Sequence, residues 1–88
     1  MIKREIKIQL DSGLEARPIA LLVQVASQYD SLIHLEAEGR KVNAKSIMGM
    51  MTLGLPSGEN VIVEVDGQDE VAAIKSIEEY LSGQSKQN

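Results

Sequence analysis

Three residues place reactive groups where the surrounding pattern suggests work: Glu15 in "DSGLEARP", His34 in "SLIHLEA" and Ser46 in "AKSIMGMM". Glu15 stands where a small-residue loop runs into an apolar helical pattern, and a carboxylate there could act as a general base. Nothing beside it offers a nucleophile. The simpler account is an acidic residue at the positive end of a helix, worth roughly 0.3–1 kcal/mol. His34 is the chain's one histidine, set mid-strand between Ile33 and Leu35, and no Asp or Glu spacing around it suggests a metal. Ser46 opens a helix, so its hydroxyl is a natural N-cap, which taken alone is the stronger account. A sharper one is phosphorylation. A phosphate at a helix start meets free amides and the positive end of the dipole, and adds about −2 charge without unfolding anything.

The elements that must position these groups follow from periodicity. Ile2, Arg4, Ile6, Ile8 and Leu10 share one side of an alternating run, which predicts a half-buried strand. From Ala16 to about Gln28 the period becomes helical, with Ile19, Leu22, Val23 and Ala26 on one face and Pro18 tolerated in the first turn. "SLIHLEA" and "GRKVN" form a hairpin turning at Glu38-Gly39. "KSIMGMMTL" is a helix of about eight residues, broken by "LPSG". "NVIVEV" is a strand. Asp69 caps a last helix, with Ala73, Ile74, Ile77 and Leu81 facing inward and Gly83 as its stop. The order βαββαβα predicts an α+β, two-layer open-faced sandwich, with three helices on one face of a four-stranded antiparallel sheet. Residues 1–83 make one domain, and 84–88 are a polar tail that frays.

Composition removes several functions. A net charge of −4 argues against direct DNA binding, and with no Trp, no Phe and two Tyr there is no base-stacking platform. No apolar run is long enough for a membrane span, and the alternating N-terminus is not a signal peptide. The absence of cysteine excludes thiolate metal sites and suits a cytosolic home. The glycines match no phosphate-binding loop. No metal or cofactor is expected.

Apolar residues are in surplus at two places. On the short helix Met50 and Leu53 point one way, while Ile47, Met48 and Met51 form a second apolar face that a helix lying on a sheet cannot also bury. Methionine is adaptable, and such clusters receive partners. Leu21 lies among Arg17, Gln24 and Gln28 on the polar side of the first helix; by itself it is an ordinary exposed apolar residue.

"GLEARPIALLVQVASQYDSLIHLE", "VNAKSIMGMMTLG" and the element order together closely resemble HPr, the histidine-containing phosphocarrier family of the bacterial sugar phosphotransferase system. The resemblance spans nearly the whole chain. It implies that Glu15 occupies the position of the phosphocarrier histidine, so that histidine-based phosphoryl transfer is lost, and that Ser46 is the family's regulatory serine. A lost histidine with a retained serine resembles the catabolite-repression paralogues of HPr, although these typically carry glutamine where this chain has Glu15. The implied function is regulatory and non-enzymatic. HPr kinase/phosphorylase would phosphorylate Ser46 with ATP or pyrophosphate, and the product would bind the catabolite control repressor. By the same resemblance Ile47, Met48 and Met51 are docking residues and Arg17 is a basic contact near the phosphate, with Leu21 counted among the partner-binding residues. Self-association into a homodimer stays open. The rivals are a phosphoryl carrier that uses Glu15 and, ranked last, an acid–base enzyme.

Overall fold

The computed structural model describes residues 1–11 and 13–83. Its elements are β1 (Ile2–Lys7), α1 (Ala16–Ser27), β2 (Leu32–Ala37), β3 (Arg40–Asn43), α2 (Ile47–Met51), β4 (Asn60–Asp66) and α3 (Glu70–Leu81). The four strands form one antiparallel sheet in the order β1-β4-β2-β3. The register places Ile6, Val61, Val63, Val65, Ile33 and Leu35 on the same face, all buried, and the helices cover that face. Lys3, Glu64 and His34 line up across the other face, which stays open. The expected two-layer α+β architecture is the one observed.

Boundaries differ where the chain finds other partners. The first strand leaves the ladder at Lys7 rather than running to Leu10, because its partner β4 begins at Asn60. Beyond that point Ile8 N–H donates to the Glu59 carbonyl at 2.9 Å and Gln9 N–H to that of Leu81 at 2.7 Å. Ile8 still turns inward and is fully buried. Arg4 shares the inward side, yet its guanidinium reaches out to Glu78 of α3 at 2.8 Å, keeping its charge in water over an apolar stem. The hairpin closes between Ala37 and Arg40, with Glu38 at φ 54° and Gly39 at φ 76°, as a two-residue turn with both φ positive requires.

α2 is five residues long, not eight. Thr52 ends it: its hydroxyl and its amide both bond the Gly49 carbonyl, at 2.7 and 3.2 Å, tightening the last turn.

Asp69 stands at the expected N-cap of α3, but its side chain does not cap that helix. It accepts instead from the Asp30 amide at 2.8 Å, the Ser31 amide at 3.0 Å and the Ser31 hydroxyl, clamping the turn between α1 and β2. Glu70, the first residue of α3, fastens the turn before the helix: its carboxylate accepts from Gly67 N–H at 3.1 Å. The Ser31 hydroxyl, then the Asp30 amide, hold the Asp69 carboxyl below the usual carboxylate range. A depressed folded-state pKa stabilises the fold above the unfolded Asp value of about 3.9, and that contribution is lost as pH falls through the folded value. Asp69→Asn, which keeps one acceptor oxygen but loses the charge, will therefore be less stable at neutral pH, and its melting temperature will fall less steeply on acidification. Thermal melts of both proteins across the acid range check this, and parallel slopes would contradict it.

Candidate functional site

Two helix starts carry the candidate residues, and they are built differently. Glu15 is the N-cap residue of α1, extended at φ −107° and ψ −175°, and its carbonyl accepts from Ile19 N–H at 2.8 Å. Its carboxylate is exposed and makes no capping bond. Part of the reason lies in the third helical position. A capping side chain bonds the second or third amide of the helix, and here the third residue is Pro18, which has no N–H. The helix-end charge account of Glu15 therefore reduces to a dipole contact through solvent. Arg17 is likewise exposed and takes part in none of the ion pairs among the described residues.

The loop feeding α1 is fixed from behind. Leu14 is fully buried and its amide donates to the Leu55 carbonyl at 2.6 Å. Gly13, at φ 71°, lies against the same α2–β4 loop. At the far end of the chain, Tyr80 is buried in α3 and its hydroxyl donates to the Pro18 carbonyl at 3.0 Å, tying α3 to the first turn of α1. Burial raises the Tyr80 pKa, which keeps that donor protonated. Sequence reasoning missed Tyr80, although it fits the inward stripe of Ala73, Ile74, Ile77 and Leu81 at helical spacing.

Ser46 is the N-cap of α2 in fact as well as in pattern: its Oγ accepts from Gly49 N–H at 3.2 Å. Gly49 sits directly against that hydroxyl, and a Cβ there would stand 3.4 Å from the Ser46 Oγ. The two faces of the short helix divide as its periodicity requires. Met50 is fully buried and Leu53 nearly so, whereas Met48 is 83% exposed and Ile47 and Met51 are each 50% exposed. The hydroxyl thus stands at the end of an uncovered apolar ridge. Leu21 is less exposed than its polar neighbours suggest; it is half-buried and packs against the core. α1 and α2 pack against each other.

Lys45 does not stand free beside Ser46. Its ammonium donates to the Tyr29 carbonyl at 2.6 Å, just past the C-terminus of α1, where a cation is favoured by the helix dipole. The contact spans 16 residues, and no local pattern announces it. On the open face of the sheet, His34 lines a shallow depression of about 150 Å³ with Met1, Leu32, Lys41, Glu64 and Asp66. Lys41 Nζ lies 2.6 Å from Glu64 Oε1, an ion pair across the open face of the sheet. Among the described residues, no group of three or more His, Asp or Glu is gathered to hold a metal ion, and no helix is long and apolar enough to cross a membrane.

The fold that carries these two helix starts recurs in known proteins. Residues 2–83 match the family described as PTS HPr component phosphorylation site, and the chain belongs to this HPr family. Its relatives include the HPr-like protein Crh of Bacillus subtilis, 42% identical over 81 residues that cover 92% of this chain and 95% of that protein. The HPr-like protein Crh of Halalkalibacterium halodurans is 41% identical over 81 residues, covering 92% and 96%. Among solved structures, HPr-C-His from Thermoanaerobacter tengcongensis superposes with a TM-score of 0.89 at 44% identity, covering 96% of this chain and 94% of that one. A crystal structure of Bacillus subtilis Crh, described as a dimer with a swapped domain, superposes with a TM-score of 0.77 at 40% identity, covering 99% and 100%.

Proposed function

We propose that this chain is a regulatory, non-enzymatic HPr-like protein of carbon catabolite repression, switched by phosphorylation of Ser46. One observation carries the proposal: the Ser46 hydroxyl caps a helix whose next residues, Ile47, Met48 and Met51, form an apolar face with nothing packed over it. A phosphate there makes a composite surface, anionic at one end and apolar along the other, for a partner that offers both cations and an apolar pocket. The likeness to two Crh proteins supports the same reading. In this reading HPr kinase/phosphorylase is the modifying enzyme and the catabolite control repressor is the partner. In the same reading Arg17 of α1 is a basic contact near the phosphate, and Leu21 is counted among the partner-binding residues. The net charge of −4 leaves DNA contact to the repressor.

Incubation with HPr kinase and ATP, followed by intact mass and peptide mapping, tests the modification. A single phosphate is expected, on Ser46, and Ser46→Ala removes it. Phosphate found mainly on Ser12 or Ser57 overturns the assignment.

The rival reading, phosphoryl transfer through the α1 loop, rests on the exposure of Glu15 at the helix start. In our reading enzyme I, the general phosphoryl donor of the phosphotransferase system, does not label the wild type. Glu15→His regains at least weak labelling, because Gly13 and Leu14 hold the loop whatever side chain follows. Acid stability distinguishes the two outcomes: efficient labelling of the unmodified chain as an acyl phosphate would favour the rival.

A further inference from the structure

The chain has four methionines and no cysteine, so thioethers are its sites most open to peroxide. The fold sorts them sharply. Met48 is 83% exposed and Met51 50%, both on the uncovered face of α2, while Met50 between them is fully buried. Met1, 69% exposed, lies beside the depression on the open face of the sheet. Peroxide must reach the sulfur lone pair, so oxidation follows this order of exposure.

We propose that Met48 and Met51 are a reversible oxidation site, and that their sulfoxides switch off the docking face. In the step, a sulfur lone pair attacks one oxygen of hydrogen peroxide and the O–O bond breaks. The sulfur keeps one oxygen and loses two electrons; a proton passes to the departing hydroxide, which leaves as water. The product is a sulfoxide, polar and a strong hydrogen-bond acceptor, on a ridge whose value to a partner is that it can be desolvated. Two sulfoxides on that ridge leave an apolar pocket facing groups it cannot satisfy. The core is untouched, because Met50 is out of reach, and the Ser46 cap is not altered. Methionine sulfoxide reductases reverse the change. The consequence for binding rests on the repressor reading above; the identity of the oxidised residues does not.

The test treats Ser46-phosphorylated protein with limiting hydrogen peroxide, maps sulfoxides by peptide mass and titrates each product with repressor. Met48 is expected to oxidise first, then Met1, then Met51, with Met50 last. Affinity for the repressor should fall roughly tenfold or more. Treatment with the reductases should restore it, and circular dichroism should not change. Met48→Leu combined with Met51→Leu removes both thioethers, so the affinity of that variant, whatever its value before treatment, should not change with peroxide, although Met1 is still oxidised. Oxidation of Met50 as fast as Met48, full affinity with both sulfoxides in place, or loss of binding by the double-leucine variant under peroxide would each overturn the proposal. Failure of the unoxidised phosphorylated protein to bind repressor overturns the repressor reading and the switch with it, while the mapping decides the modification site separately.

Discussion

Gly13→Ala is expected to be the most damaging single-methyl change in the loop before α1. Two costs combine there. Gly13 sits at φ 71°, where an L side chain costs about 1–2 kcal/mol. A Cβ at that position would also stand 2.6 Å from the Leu55 carbonyl oxygen, 2.8 Å from Ser57 N and 2.9 Å from Pro56 C, all backbone atoms that no rotamer change can move. Relieving that overlap pushes the 55–57 loop away, costing about 1–3 kcal/mol as overpacking, and it works against the 2.6 Å bond from Leu14 N–H to the same Leu55 carbonyl. The sum of about 2–5 kcal/mol corresponds to a melting point lower by roughly 8–40 °C for a domain of this size. Gly39→Ala is the control. It shares the positive φ, 76°, but its Cβ would meet nothing within 4 Å, so only the conformational cost of about 1–2 kcal/mol applies. Thermal melts of the two variants check the account, and equal destabilisation would show that the contact with residues 55–57 is unimportant.

The same loop shows why some of this molecule was legible in sequence and some was not. Periodicity finds what is local. The inward stripe of α1, the turn at Glu38-Gly39 and the division of Met50 and Leu53 from Ile47, Met48 and Met51 all follow from spacings of two or 3.6 residues. Asp69 occupies the N-cap position of α3, and local pattern alone predicts that its side chain caps the helix. Its carboxylate is instead claimed by amides 38 and 39 residues away, a choice decided only when α3 meets the turn after α1. Lys45 is a similar case: it looks like a neighbour of Ser46 and is used by the Tyr29 carbonyl. Leu21 reads as exposed on a helical wheel but is half-covered and packs against the core, on a helix flanked by α2 and α3. At Glu15 the residue types suggested several chemistries, and it was the motif around it, rather than its geometry, that gave the position a meaning.

The second large effect is expected on binding. Ser46 phosphorylation should tighten the interaction with the catabolite control repressor by about 10–100-fold, the equivalent of one charge-assisted hydrogen-bond set worth about 1.5–3 kcal/mol. The local structure favours this result. The Gly49 amide that now donates to the Ser46 hydroxyl is placed to meet a phosphate oxygen, so the dianion has compensation without rearranging α2. Lys45 is held by the Tyr29 carbonyl, which leaves the phosphate to cations of the partner rather than neutralising it internally. In the proposed complex the exposed Ile47, Met48 and Met51 would supply the burial, and the phosphate would supply direction and charge. The charged part of this bond is screened by salt and the apolar part is not.

The most direct measurement of the central claim is a titration of the catabolite control repressor with the unmodified and Ser46-phosphorylated forms, each at two salt concentrations, with circular dichroism as a fold control. The phosphorylated form is predicted to bind more tightly, to lose more affinity than the unmodified form as salt rises, and to give the spectrum of the unmodified protein. Equal affinities for the two forms, or a spectrum showing lost structure after phosphorylation, would contradict it.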